Sequence, residues 1–458
     1  MFHHMPPEIL HLIARDLDSK DFYHLVSLSH RLYTVFQPSL YTDVTLCRWE
    51  GKHQTIQPFL YAVTRTPRLA SYVRSLKVKW WDPEAPDNEK YDQKVGFDSN
   101  IVHTLVAERM RHSETERSKW LKDLERHNSD AWLALLIPQL KELRKLSLVW
   151  PHGQKYVLGM FQKAAMEEES VFPHLEEVYG AWHDSENSFP SHYMHPFFKF
   201  PSMRKVGCYM LAENGDYDSD EGDEFEPELD SQFPTWDTLP PQCSNITDID
   251  LQESNAGNGM REWVRACKAL KSFRVVHGAG VVSGDDFQPR KIYESLSLHK
   301  STLESMWVEA NDGVYMDTDD EWMGSFVDFT TLKLVCASFA NLVGLDEHNL
   351  PVRRLRDVLP PSLEKLYLPV DEDERFNGAL DQLAELAASE SFPELAVIYL
   401  EYYELKKPEN VAKLEWLEQR CQEASVLCLP RNSKGWVQGE KQSMEIIWPC
   451  NEASLLRW

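Results

Sequence analysis

The chain has 458 residues, of which 42% are hydrophobic and 26% are charged, a composition typical of globular rather than disordered proteins. This length is sufficient for two or three domains, or for one elongated repeat domain. The net charge of −25 disfavours contact with a phosphate backbone, and no run of Lys and Arg indicates a membrane-binding or nuclear-import segment. Nucleic acid and membranes are therefore not expected partners.

The first residues, MFHHMPPEIL, lack the basic and apolar regions of a signal peptide. The longest uninterrupted apolar stretch, AWLALLIP (131–138), is far shorter than the ~20 residues that a bilayer span requires. The eight cysteines form no CxxC pair, so we expect reduced thiols rather than disulfides or zinc ligands. The expected location is the cytoplasm or the nucleus.

Residues 6–41 predict three short helices. Pro6 and Pro7 suit a first helical turn, Asp18 and Ser19 separate two helices, and Pro38 is expected to end the last one. Apolar residues recur at helical spacing, at Ile9, Leu10, Ile13, Leu17, Leu25, Val26, Leu28, Leu32, Val35 and Phe36. Helices this short cannot bury all these side chains among themselves. The remaining apolar surface must be covered by the rest of the chain or by another protein.

This segment resembles an F-box of fungal type. The resemblance rests on Pro7-Glu8-Ile9-Leu10, Ile13, Leu17, Asp21, Leu25, Leu28, Arg31-Leu32 and Leu40-Tyr41, followed by LYTDVTL (40–46). It covers residues 1–41, and Met5 and His30 stand where the family usually has Leu and a small residue. It implies docking to the Skp-family adaptor of a cullin–RING ubiquitin ligase. The implied adaptor contacts are Pro7, Ile9, Leu10, Ile13, Leu17, Leu25, Leu28 and Leu32. The alternative is a helical cap on a repeat domain, which such domains require in any case.

From residue 42 onward, one phrase recurs: apolar-x-x-apolar-x-apolar. From residue 143 its starts are 24 to 43 residues apart, and Phe-Pro precedes it at residues 172, 200 and 392. It appears as VRSLKV (73–78), LRKLSL (143–148), LEEVYG (175–180), MRKVGC (203–208), ITDIDL (246–251), LKSFRV (270–275), LESMWV (303–308), FTTLKL (329–334), LEKLYL (363–368), LAVIYL (395–400) and ASVLCL (424–429). Helical patterns lie between the phrases.

The phrase resembles a degenerate leucine-rich repeat. For residues 42–458 it implies an irregular α/β solenoid with a parallel sheet, one strand and one helix to a repeat. The alternative is a conventional doubly wound α/β domain, whose helix–strand spacing is similar. Two stretches interrupt the pattern. Residues 97–137 are interpreted as a helical insertion, and residues 213–230, with ten carboxylates and no basic residue, as an acidic disordered loop. The latter departs from the calcium-loop spacing at Glu221 and Pro227.

No catalytic motif is present: the chain lacks a nucleophile elbow, a phosphate-binding loop and any histidine pattern of metal-ligand spacing. We expect a non-enzymatic protein without cofactor or metal. Its expected function is that of the substrate-recognition subunit of a Skp–cullin–F-box ubiquitin ligase. The alternative is a leucine-rich-repeat scaffold without a ubiquitin-ligase role, with its first helices serving only as a cap.

A protein client is expected on the concave sheet of the solenoid. The residue between the last two apolar positions of each phrase points to that face, and aromatic residues and Arg are frequent interface hot spots. The candidate client-binding residues are Tyr179, Arg274, Trp307, Tyr367 and Tyr399. Alanine at Trp307 or Tyr367 is expected to abolish client capture without changing the melting temperature.

Overall fold

The structure of the protein is a computed structural model. It describes residues 5–14, 17, 19–46, 55–79, 81, 96–109, 114–185, 187–214, 238–278, 282–284, 286–310, 321–370, 376–402 and 407–432. The chain forms two compact units. Unit 1 is Met1–His183, Tyr193–Arg204 and Ser219–Trp236, and unit 2 is Asp184–His192, Lys205–Asp218 and Asp237–Trp458. In the described part, short 3₁₀ helices cover Ile137–Gln139, Ser191–Lys199 and Ser297–His299.

Unit 1 combines a helical N-terminal module with repeats of strand and helix. Its described helices are α1 (Pro7–Ala14), α2 (Ser19–Leu28), α3 (His30–Thr42), α4 (Ile56–Arg65), α5 (Pro67–Ala70), α6 (Ser99–Arg109), α7 (Glu114–Glu125), α8 (Ser129–Leu136) and α9 (Tyr156–Ala164). Its described strands are β1 (Asp43–Leu46), β2 (Ser75–Val78), β3 (Lys145–Trp150) and β4 (Glu177–Trp182).

The four strands of unit 1 pair in chain order and in parallel. Leu76 is in register with Val44 and Leu146, and Leu146 with Val178. These aliphatic positions alternate with less buried ones, as expected when one face of a strand packs on helices. The repeat phrase therefore aligns its second apolar position across neighbouring strands.

Residues 97–137, interpreted from the sequence as an insertion, contain α6, α7 and α8. Every residue of α8 is buried, including Trp132, whose indole nitrogen donates to the Leu124 carbonyl at 3.1 Å. Asn128 caps this helix by accepting the N–H of Ala131 at 3.0 Å. These helices are therefore part of the core of unit 1.

Unit 2 carries most of the repeat phrases. Its described strands are β5 (Phe189–Pro190), β6 (Lys205–Tyr209), β7 (Leu211–Ala212), β8 (Asp248–Gln252), β9 (Ser272–His277), β10 (Ser305–Ala310), β11 (Leu334–Cys336), β12 (Lys365–Val370), β13 (Val397–Tyr402) and β14 (Leu427–Asn432). Its described helices are α10 (Arg261–Ala266), α11 (Pro289–Leu296), α12 (Phe339–Val343), α13 (Leu355–Val358), α14 (Phe376–Ala387) and α15 (Pro408–Glu423). Strands β5 and β7 form a separate parallel pair.

The remaining strands of unit 2 form a parallel sheet in the order β6-β8-β9-β10-β11-β12-β13-β14. Three successive repeats, those of β10, β11 and β12, are each tied to the previous one by a side-chain hydroxyl at the entry turn. Thr302 donates to the Leu270 carbonyl, Thr331 to Leu303 and Ser362 to Leu332, each at 2.9 Å. Bonds of this kind contribute about 0.5–1.5 kcal/mol each. Chain-order parallel pairing is the arrangement that a repeat fold predicts.

Two local expectations need correction. Pro38 does not end the last N-terminal helix, because α3 continues to Thr42 and Tyr41 stacks on Phe59 at 6.4 Å. A proline removes one intrahelical hydrogen bond, and packing of the residues beyond it maintains the helix. The acidic loop (213–230) lies outside the described residues from 215 onward, but Glu213 is fixed. Its carboxylate accepts the N–H groups of Asn258 and Met260 at 2.7 and 2.9 Å.

Gly259 occupies a position that other residues cannot adopt without strain. Its φ is +67°, and a Cβ there would lie 2.5 Å from the carbonyl carbon of Lys291. We expect Gly259→Ala to lower the free energy of unfolding by about 2 kcal/mol or more, measured by urea titration. Gly284→Ala is the matched control, because no atom lies within 4 Å of its added Cβ. Equal stability of the two variants would contradict this prediction.

Candidate functional site

The N-terminal helices α1–α3 enclose a core of their own. Leu10, Phe22, Leu32 and Phe36 form a cluster of buried side chains. The partly buried residues packed on it are Met5, Ala14, Leu17, Leu25, Val26, Val35 and Leu40. Ser29 caps α3 by accepting the N–H of Leu32 at 3.2 Å. Four of the predicted adaptor contacts, Leu10, Leu17, Leu25 and Leu32, therefore belong to the interior of this module or its margin.

Other apolar side chains of the same module are exposed. Ile9 and Leu12 on α1 are 44% and 51% exposed, and Leu28 on α2 is 67% exposed. Tyr23 on α2 and Tyr33 on α3 are exposed as well. Of the remaining predicted contacts, Pro7 is exposed and Ile13 is half-buried. Leu12 was missed by the sequence analysis, since helical spacing does not show which face lies inward. His30 is exposed at the start of α3.

In unit 2, four of the five predicted client-binding residues form one row across the sheet. We name this the open-face row. It contains Asp250, Arg274, Trp307, Cys336, Tyr367, Tyr399 and Leu429, all in register from β8 to β14. Tyr179 lies on β4 in unit 1 and is not part of the row. Along each strand, the row residue lies between buried apolar residues such as Phe273 and Val275 on β9. Successive side chains point to opposite faces of a sheet, so the row residues lie on the face opposite to these buried apolar residues.

The rings of the row stack on one another. The Tyr367 and Tyr399 rings are parallel within 11° at a centroid distance of 4.0 Å, and Trp307 packs on Tyr367 at 4.7 Å. Burial, and then a hydrogen bond with Tyr399, raise the pKa of the Tyr367 hydroxyl, which therefore remains neutral at physiological pH.

Guanidinium groups close both ends of this stack. Arg274 lies over the Trp307 ring at 5.2 Å and faces Asp250, with its Nε 4.0 Å from the carboxylate. Arg431 lies over the Tyr399 ring at 5.9 Å. Cation–π contacts of this type contribute about 0.5–2 kcal/mol. The rings of Trp307, Tyr367 and Tyr399 thus lie between two guanidinium groups.

The expectation that these rings are exposed is wrong for three of them. Tyr179, Trp307 and Tyr367 are 4%, 7% and 8% exposed. For Trp307 and Tyr367 the reason is that their strands bring the two rings together. Tyr399 is half-buried. In the phrase FTTLKL (329–334), the position between the last two apolar residues is Lys333, whereas the register places Cys336 between Trp307 and Tyr367.

A shallow depression lies over the β10–β14 end of the row. It is lined by Trp307, Glu309, Cys336, Tyr367, Leu368, Pro369, Tyr399, Leu400, Glu401, Leu429 and Arg431. The Trp307 indole nitrogen donates to the Glu309 carboxylate at 2.6 Å and fixes its position. Glu401 is in register with Arg431 on the next strand. Phrase positions did not identify Glu309 or Arg431, because both lie outside the single column that the phrase marks. Leu429 was missed because the frame of ASVLCL (424–429) places Cys428 in that column, whereas the register places Leu429 beside Tyr399.

Two features are absent from the part of the chain that the structure describes. Among these residues, no group of three or more His, Cys, Asp or Glu side chains is placed to hold a metal ion. None of the described helices is long and apolar enough to cross a membrane.

Residues 233–432 match the family model of a leucine-rich repeat domain. This region contains β8 to β14. The match confirms the resemblance to a leucine-rich repeat for residues 233–432 of the predicted range 42–458, and the mixed α/β structure with its parallel sheet agrees with it. Such a domain indicates a protein-interaction scaffold. The match does not include residues 1–41, and the search of curated proteins found no match to this chain.

Proposed function

We propose that this protein is the substrate-recognition subunit of a Skp–cullin–F-box ubiquitin ligase. The N-terminal module would bind the Skp-family adaptor, and the leucine-rich repeats would bind a protein client. The chain itself would contribute no catalytic group; by holding both partners, it would raise the effective concentration of the client near the ligase.

The observation that carries this proposal is the division of apolar residues in the module. Leu10, Phe22, Leu32 and Phe36 already supply a core, yet Ile9 and Leu28 remain 44% and 67% exposed. Leaving a large aliphatic side chain in water forfeits about 1.5–3 kcal/mol relative to burying it. An adaptor surface that covers these residues recovers that free energy. The resemblance of residues 1–41 to an F-box supports the same assignment.

One observation favours the scaffold as a second candidate. Helix α3 ends at Thr42 and β1 begins at Asp43, so the module passes into the first repeat without a linker. Its Tyr41 stacks on Phe59 of α4 at 6.4 Å. A helical cap that protects the end of a repeat array has this kind of continuity.

Adaptor binding distinguishes the two candidates. We expect the full chain to co-purify with a co-expressed Skp-family adaptor, and the double variant Ile9→Asp/Leu28→Asp to bind it at least ~30-fold more weakly. Charges placed in a desolvated apolar interface have effects of this size. Affinity measured by biolayer interferometry gives the ratio. Aspartate at Leu10 would not serve, because this residue is 0% exposed and the substitution would disrupt the module.

Leu298→Asp is the control, since Leu298 in unit 2 is an exposed leucine of similar accessibility, at 56%. It should bind the adaptor as the unmodified chain does. If the unmodified chain does not bind the adaptor, the module is a cap and the scaffold function stands. A circular dichroism spectrum identical to that of the unmodified chain verifies that the double variant is folded.

A further inference from the structure

We propose that the depression at the β10–β14 end of the open-face row binds an extended segment of a partner protein that carries a Lys or Arg and, about four to six residues away, a large apolar side chain. The basic group would pair with Glu309, and the apolar group would cover Leu429 and Leu427. The proposal rests on the proposed function only in calling this partner a client.

The apolar half of the site is on β13 and β14. Leu427 is 54% exposed and lies two residues from Leu429, on the same face of β14. Leu429 is half-buried beside Tyr399, its register partner on β13. Aliphatic groups beside a partly open aromatic ring form a surface that gains free energy when a partner excludes water from it.

The charged half of the site is Glu309 on β10. Trp307 donates a hydrogen bond to it at 2.6 Å, which orients the carboxylate without neutralising it. Among the described residues Glu309 takes part in no ion pair, whereas Arg274 faces Asp250 and Glu401 has Arg431 in register beside it. A half-buried carboxylate held in this way is complementary to a basic side chain. The net charge of −25 attracts basic segments further.

The spacing of the two halves follows from the sheet. Glu309 and Leu429 are on β10 and β14, four strand intervals apart. Parallel strands lie about 4.8 Å apart, so the two positions are separated by roughly 20 Å. An extended chain advances about 3.3 Å per residue, and a Lys or Arg side chain covers part of the distance itself. The bound segment therefore crosses the strands and needs about four to six residues between its two anchors.

A cage for a free cation, such as a methylated ammonium group, is a different use of aromatic residues, and this geometry disfavours it. Arg274 and Arg431 already lie over the outer rings of the stack at 5.2 and 5.9 Å, and the inner rings face one another. Each ring of the stack therefore already has an aromatic ring or a guanidinium group on both of its sides. The basic group of a partner is therefore expected at the carboxylate of Glu309 and not against a ring.

A library of random dodecapeptides displayed on phage and selected on the full chain tests this inference. We expect selected peptides to share a Lys or Arg four to six residues from Leu, Ile, Phe or Tyr. With the strongest peptide labelled by fluorescein, Glu309→Gln should weaken binding about tenfold in anisotropy titrations. Glutamine retains the acceptor for Trp307, so the fold is preserved. Replacing the basic residue of the peptide should weaken binding to the unmodified chain equally and add nothing in Glu309→Gln.

Glu415→Gln is the matched control, because Glu415 is an exposed glutamate on α15; its affinity should stay within twofold of the unmodified chain. Selection of peptides without a basic residue, or equal affinity for Glu309→Gln, would overturn the inference. So would a concentration-dependent dimer that Glu309→Gln abolishes, since a second copy of this chain would then occupy the face. Adaptor binding, measured on the same preparations, reports separately on the proposed function and should not change in Glu309→Gln.

Discussion

Replacing Trp307 with alanine is expected to lower the free energy of unfolding by about 3–5 kcal/mol, the range for large buried aromatic side chains. Trp307 is 7% exposed and packs on Tyr367 at 4.7 Å. Its loss leaves a void beside the Tyr367 ring, removes the ring beneath Arg274, and takes away the donor that holds Glu309. Urea titration followed by circular dichroism measures this change as a lower unfolding midpoint.

Trp416→Ala provides the comparison. Trp416 lies on α15 and is 36% exposed, and the Lys413 ammonium lies 4.1 Å from its ring centroid. We expect this variant to lose about 1 kcal/mol or less. If Trp307→Ala were as stable as Trp416→Ala, the open-face row would not be a structural stack.

The expected loss of stability in Trp307→Ala limits how client binding can be tested. Alanine at Trp307 or Tyr367 would reduce client binding simply by loosening β10 and β12, so the expectation of an unchanged melting temperature is withdrawn. Substitutions of Glu309 or Leu429 avoid this loss of stability, because both side chains are only half-buried and contribute little to the core. The client-binding role of Arg274 and Tyr399 stays a prediction.

The repeat pattern predicted the parallel sheet because its period reflects burial on one face of each strand. It did not fix the phase of every repeat. In FTTLKLVCA (329–337) two frames fit, one with Phe329, Leu332 and Leu334 and the other with Leu332, Val335 and Ala337. Phe329 and Leu332 are both fully buried, so local apolarity could not choose between them. Pairing of Val335 with Met306 selects the second frame.

Tertiary contacts set the other limits of sequence-based prediction. Composition assigned Glu213 to a solvated loop, but N–H groups of Asn258 and Met260, distant in the chain, hold its carboxylate. Helical spacing found the apolar residues of α1 and could not tell that Leu10 is buried while Leu12 is 51% exposed. The direction of a short helix in its module depends on α2 and α3, which the pattern within α1 does not contain.

Asp130 makes another contact between distant residues that sequence patterns do not show, and its substitution is expected to have a large effect on stability. This carboxylate on α8 is 1% exposed and caps α9 from a different repeat. It accepts the N–H groups of Lys155, Tyr156 and Val157 at 2.6, 2.8 and 2.8 Å. Asp130→Ala leaves these three donors buried without an acceptor, and we expect a loss of at least about 3 kcal/mol in unfolding free energy. Asp328→Asn, at a side chain 75% exposed, should change stability by less than about 0.5 kcal/mol.

The stability supplied by Asp130 is also expected to depend on pH. Burial raises its pKa from 3.8 to about 6, and the three N–H donors only partly oppose this. Because the folded state then holds the proton more tightly than the unfolded state, the contribution is complete below pH 4 and is lost as the pH rises through 6. The stability of the unmodified chain relative to Asp130→Asn, which does not titrate, should fall between pH 4 and pH 7 by on the order of 3 kcal/mol. A difference that instead grows with pH would show that the N–H donors outweigh burial and that the buried cap is a carboxylate throughout.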